Sequence, residues 1–177
     1  TDLPFSLTRA QQRVIDEIFS DLGKKTAMQR LLQGDVGSGK TVIAALAALA
    51  TLRAGHQVAL MAPTELLAEQ HLQTLSNWLR PLNIHISLLT GKLTVAKKRE
   101  ILAAMASGKS QLVIGTHALF QEDSKFKQLG LIIVDEQHRF GVHQRLALRE
   151  KGRLGKFIPH QLIMTATPIP RTLAMTA

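Results

Sequence analysis

The run Gly34-Asp35-Val36-Gly37-Ser38-Gly39-Lys40-Thr41 fits the pattern G-x-x-x-x-G-K-[ST]. Glycines at this spacing let backbone N–H groups curl around phosphate oxygens. A helix starting there adds partial positive charge from its first turn. Lys40 is placed to reach the β- and γ-phosphates, and the Thr41 hydroxyl to bind Mg²⁺. The plainer alternative is an ordinary glycine-rich turn. The segment nevertheless lies between an apolar strand pattern and an apolar helix pattern, which is the context the motif requires.

A second signal is Ile132-Ile133-Val134-Asp135-Glu136-Gln137-His138, two acids ending a hydrophobic run. Asp135 there can hold Mg²⁺ opposite the Thr41 hydroxyl. Glu136 can polarise an attacking water as general base. Acids after a strand are common on their own; downstream of a phosphate loop they read as a hydrolytic pair. Thr165-Ala166-Thr167-Pro168 follows another apolar run. Thr165 and Thr167 can relay the state of a γ-phosphate to Gln137 or His138 through hydrogen bonds. A simple Thr-Pro turn explains the same residues.

These residues need a scaffold, and the hydrophobic pattern supplies one. Thr8 can cap a helix running to about Leu22, with Val14, Ile15, Ile18, Phe19 and Leu22 on one face. Strands are predicted at 28–33, 57–62, 84–89, 111–115, 131–134 and 161–164. Helices are predicted at 40–53, 65–79 (started by Thr64, stopped at Pro81), 94–106 (ended by Gly108) and, more weakly, 144–151. Short apolar strands separated by helices imply an α/β fold, a mostly parallel sheet with helices on both faces. Ligands of such sheets bind at the carboxyl ends of the strands. The candidate residues all follow strands.

Composition narrows the class. The 177 residues are 45% hydrophobic and 20% charged, which excludes a disordered chain. There is no Cys, so disulfides, Cys-ligated zinc and a Cys nucleophile are excluded; this fits the cytoplasm. The longest apolar run, near 42–52, is far short of the roughly 20 residues that span a bilayer, so no membrane partner is expected. Net charge is +9. From Gln137 onward seven basic residues face one acid, giving +6 of that total. A basic face suggests a polyanion such as nucleic acid, and equally a solvated surface. With one Trp, six Phe and no Tyr, base stacking is disfavoured and phosphate contacts are expected.

The order Leu7-Thr8-x-x-Gln11, GDVGSGKT at 34–41, Ala62-Pro63-Thr64-Glu65, Thr90-Gly91, Gly115-Thr116-His117, Asp135-Glu136-Gln137-His138 and Thr165-Ala166-Thr167 resembles the first motor lobe of superfamily 2 helicases. The resemblance covers essentially the whole chain. DEQHRFGVHQR at 135–145 with TATPIPRTLAMTA at 165–177 narrows it to bacterial DNA helicases that remodel stalled forks and Holliday junctions. Transcription-repair coupling translocases share much of this signature. RNA helicases of the DEAD type usually carry Asp where this chain has His138 and Ser where it has Thr165, so the resemblance favours DNA.

The resemblance implies a RecA-like P-loop NTPase lobe using ATP and Mg²⁺. It implies that Gln11 reads the adenine edge, since an amide offers a donor and an acceptor together. A capping or surface Gln is the alternative. It implies that Pro63 and Thr64 touch the DNA backbone, and N-capping by Thr64 can hold at the same time. Gly115, Thr116 and His117 are implied on the same strand, with Thr90, Gly91 and Lys92 similar in kind; a purely structural His117 is the alternative. A second lobe with arginine fingers and a wedge domain that engages branched DNA belong to such helicases and are not in these residues. The chain starts at Thr1 and stops inside an apolar helical pattern, so it reads as one domain, 1–177, cut from a longer polypeptide. Two other function classes stay open, a passive nucleotide- or DNA-binding module and a P-loop small-molecule kinase. Glu136 separates the first, since a binding module needs no base beside the metal ligand.

Overall fold

The computed structural model describes residues 9–23, 29–33, 39–120, 124–135 and 159–165. Six strands form one sheet: β1 (Gln29–Gln33), β2 (Gln57–Met61), β3 (Ile86–Leu89), β4 (Leu112–Gly115), β5 (Leu129–Asp135) and β6 (His160–Thr165). Their order is β1-β6-β5-β2-β4-β3, and every pairing is parallel. The four helices are α1 (Arg9–Leu22), α2 (Lys40–Arg53), α3 (Glu65–Leu79) and α4 (Val95–Ser107). The expected α/β architecture therefore stands. The resemblance to RecA-like lobes also implies that strand 161–164 lies between 28–33 and 131–134, and the sheet has that order.

Alternation along the strands feeds two cores. Val58, Leu60, Leu112, Ile114, Leu131, Ile133, Leu162 and Met164 face α1, α2 and α3. Ala59, Met61, Val113, Ile132 and Val134 face the other way, against Ile101 and Met105 of α4 and against Leu119 and Phe126. Fully buried residues such as Leu60, Ile114 and Leu131 each contribute roughly 1.5–3 kcal/mol. Seven consecutive residues of α2, from Ile43 to Leu49, are buried. Their many alanines let that helix lie close to the sheet, which holds its N-terminus rigidly at the carboxyl edge.

Boundaries differ from expectation where side chains take over backbone partners. The third strand starts at Ile86 rather than 84, because the His85 N–H donates to Oε1 of Gln111 at 2.9 Å. The fifth is longer, 129–135, and contains a register shift opposite Gln57 and Val58. That slip puts Leu129 in one core and Leu131 in the other. α3 begins as expected behind its cap Thr64, whereas α4 begins at Val95, one residue later than expected, because Thr94 is its cap; each cap accepts at 3.2 Å. Gly108 ends α4 in the left-handed conformation. Beyond α3 the chain makes a 3-10 turn, Arg80–Leu82, containing Pro81; a second, His117–Phe120, has no clear sequence signal. The expected helix 144–151 lies outside the described residues. Among those described, no helix is long and apolar enough to cross a membrane.

Candidate active site

The strand order gathers the chemistry-bearing residues at one edge. Gln33, which ends β1, pairs with Thr165, which ends β6; Asp135, which ends β5, pairs with Met164. The backbone thus brings the chain leading into the phosphate loop, the first Thr of Thr165-Ala166-Thr167 and the strand-end Asp135 together at the carboxyl edge. Asp135 continues the alternation of Leu131 and Ile133, so its carboxylate projects to the face covered by α2 and α3.

Gly39 shows why the loop's last glycine is required. Its φ is +89°, the left-handed region that side chains rarely adopt. A Cβ there would also collide with Nε2 of Gln11. That contact sets the Gln11 amide, carried on α1, directly beside the start of the phosphate-loop helix. α2 has no side-chain cap and no acid in its first turn; its first internal bond is Ile43 N to Gly39 O at 3.2 Å. The positive end of the helix dipole is thereby not offset by a cap or an acid of the helix's own first turn. Lys40 and Thr41, half-buried, open this helix. Gly34, Asp35, Val36, Gly37 and Ser38 lie outside the described residues, as do Glu136, Gln137, His138 and Thr167; of Thr165 the backbone alone is described.

Asp135 is 5% exposed and has a partner that sequence reasoning missed. Nε2 of His71, in α3, is 2.8 Å from its Oδ2. The available signal was periodicity: Ala68, His71 and Leu75 fall on the inward stripe of α3.

The residues implied for DNA divide by exposure. Thr64 is exposed; its hydroxyl oxygen accepts from Leu67 N and still has its own proton to donate. Pro63 is half-buried, and Gly91 and His117 are exposed. Thr90, Gly115 and Thr116 are buried. Gly115 lies in a close approach, for a Cβ there would strike the Leu89 carbonyl and sit 3.0 Å from Cγ of Leu119. Its own carbonyl accepts from Ala62 N at 2.8 Å, tying the end of β4 to the turn that carries Pro63 and Thr64. Lys92, in the turn after β3, pairs with Glu65, the first residue of α3, at 3.1 Å.

Hard oxygen donors suit Mg²⁺. One carboxylate oxygen of Asp135 is taken by His71, which leaves Oδ1 and the Thr41 hydroxyl as protein donors. No cluster of three or more His, Cys, Asp or Glu side chains among the described residues can hold a metal without help. An ion at this edge would rest on two protein oxygens, nucleotide phosphates and water, which is the usual manner of Mg²⁺.

The chain matches the DEAD/DEAH box helicase family over residues 8–176. It is 61% identical over 175 residues to the ATP-dependent DNA helicase RecG of Escherichia coli K12, covering 99% of this chain and 25% of that protein. It is 59% identical over 174 residues to RecG of Haemophilus influenzae, with 98% and 25% covered. The chain thus spans about a quarter of the length of these relatives. Among solved structures, RecG bound to a three-way DNA junction aligns with a TM-score of 0.84 at 48% identity, over 98% of this chain and 22% of that one. The Hef helicase domain of Pyrococcus furiosus aligns at 0.68 and 22% identity, over 94% and 34%, and shares the fold.

Proposed function

Because this chain belongs to the DEAD/DEAH box helicase family, we propose that it is the first motor lobe of an ATP-driven DNA helicase that remodels branched DNA in recombination and repair. The observation that carries the reading is the strand order β1-β6-β5, which puts the phosphate-loop strand, the Thr165 strand and Asp135 at one edge. Similarity to RecG helicases, one of them solved on a three-way junction, supplies the substrate class. The relatives are bacterial, and the bacterial cytoplasm is the proposed location.

ATP lies with its phosphates against the N-terminus of α2. Backbone N–H groups of 34–41 grip them, and Lys40 neutralises the β- and γ-oxygens. Gln11, already beside Gly39, reads the adenine edge. Thr41 and Asp135 hold Mg²⁺, which supplies charge neutralisation of the phosphates when bound. Glu136, next in sequence to Asp135, accepts a hydrogen bond from the attacking water, which aligns it on the γ-phosphorus, and takes its proton as the bond from that phosphorus to the leaving ADP breaks. Gln137, His138, Thr165 and Thr167 report γ-phosphate loss to the DNA-facing loops.

Those loops are Pro63-Thr64, Thr90-Gly91 and Gly115-Thr116-His117. Thr64 and His117 donate to phosphate oxygens, while buried Thr90, Gly115 and Thr116 shape the turns. Contacts of this kind follow a strand without reading its sequence. The second motor lobe and a wedge domain of the same polypeptide close the nucleotide site and engage the branch.

The test is unwinding of a synthetic three-way junction by the full-length polypeptide. Strand separation with ATP, and none with a non-hydrolysable analogue or in Lys40→Ala, is expected. Junction unwinding that proceeds equally without hydrolysis contradicts the reading.

A further inference from the structure

The hydrolytic scheme above makes no use of the contact between His71 and Asp135. His71 sits in the second turn of α3, and its side chain is 13% exposed beside an Asp135 side chain at 8%. A carboxylate can only accept hydrogen bonds, so at the 2.8 Å contact the proton is on Nε2 of His71, and Oδ2 of Asp135 receives it. One oxygen of the carboxylate is thereby fixed in direction. The carboxylate plane is fixed with it, and Oδ1 becomes the atom free to meet a cation.

We infer that His71 is a positioning residue for the metal site, holding Asp135 in the single orientation that serves Mg²⁺. The inference rests on the reading of Asp135 as metal ligand. Two features favour positioning over plain packing. Asp135 ends a strand, where its backbone is fixed by pairing with β6 but its side-chain torsions are not. The partner comes from a different layer, a helix held to the sheet by Ala68, Leu75 and Leu79, so the donor is itself rigid. Ligating carboxylates generally need such outer partners, and losing one weakens metal affinity or activity by about 10–100-fold.

The experiment uses the full-length polypeptide and a fluorescent, non-hydrolysable ATP analogue. Its affinity is measured in EDTA and then across a Mg²⁺ titration, with thermal melting as a check on folding. His71→Phe keeps a ring of similar shape without a donor. It should raise the Mg²⁺ concentration for half-maximal tightening by about tenfold or more, with the EDTA affinity little changed. His71→Gln returns an N–H near the position of Nε2 and should restore most of the Mg²⁺ response. If Phe impairs folding, His71→Leu replaces it against the same Gln control. Asp135→Asn should abolish the Mg²⁺ response. A His71→Phe protein with a wild-type Mg²⁺ titration, beside an unresponsive Asp135→Asn, overturns the role of His71 alone. So does a loss that is equal in EDTA and in Mg²⁺, because a merely structural residue gives that. A Mg²⁺ response intact in Asp135→Asn overturns the metal-ligand reading beneath it.

Discussion

The side-chain amide of Gln11 occupies the space that any side chain on Gly39 would need. An α1 residue is thus locked against the first residue of the phosphate-loop turn that the structure describes, twenty-eight positions later in the chain. In the proposed function this amide reads the base, because a group that donates and accepts suits the adenine edge and mismatches guanine. Gln11→Ala should raise KM for ATP by about tenfold, near 1.4 kcal/mol, and flatten the preference for ATP over GTP. Steady-state ATPase and GTPase rates of the full-length polypeptide check this.

Lys40 and Glu136 are expected to fail in different ways. Lys40→Ala removes the point charge on the γ-phosphate and should weaken ATP binding. Glu136→Gln keeps the shape of the side chain without its basicity. It should bind ATP normally and hydrolyse it about 10²-fold or more slowly. Equilibrium nucleotide binding and single-turnover hydrolysis separate the two. Wild-type hydrolysis by Glu136→Gln contradicts the base assignment.

Stability should fall on mild acidification through His160. This residue is 6% exposed at the start of β6, and burial holds its pKa below the ordinary 6.5. The Leu22 carbonyl and Asp21 oppose the shift in part, and His56 adds to it. The unfolded chain therefore takes up a proton that the folded chain resists. This contribution is complete above about pH 6.5 and is lost as pH drops below it. Melting temperatures from pH 7.5 to 5.5 should decline less steeply for His160→Gln than for wild type.

Much of this was legible in the residues. The cap at Thr64, the stop at Gly108 and the full span of the helix 40–53 follow from local chemistry that tertiary packing reinforces. The placing of β6 between β1 and β5 was read from resemblance to RecA-like lobes, because parallel pairing is non-local and periodicity carries no strand order. His71 escaped because its partner lies sixty-four residues away on a different element. Gln57 escaped for the same reason. Its amide donates to the Met105 and Ser110 carbonyls at 2.9 and 2.8 Å and accepts from Gln128 N at 2.8 Å, a buried clasp beneath the sheet. The bland alternative for Thr64, N-capping, proved true without displacing the proposed DNA contact, since a hydroxyl both accepts and donates.

The isolated 177-residue chain should be a weak enzyme. On the proposed reading residues 34–41 grip nucleotide from one side only, and an arginine finger from a second lobe would be worth about 10³–10⁵ in turnover. DNA held by one lobe meets fewer cations, so binding should be weak and its salt dependence shallower than that of the full-length polypeptide. Salt titrations of DNA affinity for both proteins check this. Equal slopes would place all the phosphate contacts in this lobe.

The central claim is that this edge of the sheet couples ATP hydrolysis to DNA. It is tested most directly by ATP turnover of the full-length polypeptide with and without a branched DNA. Turnover that rises steeply with the DNA and disappears in both Lys40→Ala and Glu136→Gln is predicted. Turnover indifferent to DNA, or surviving in Lys40→Ala, contradicts the account.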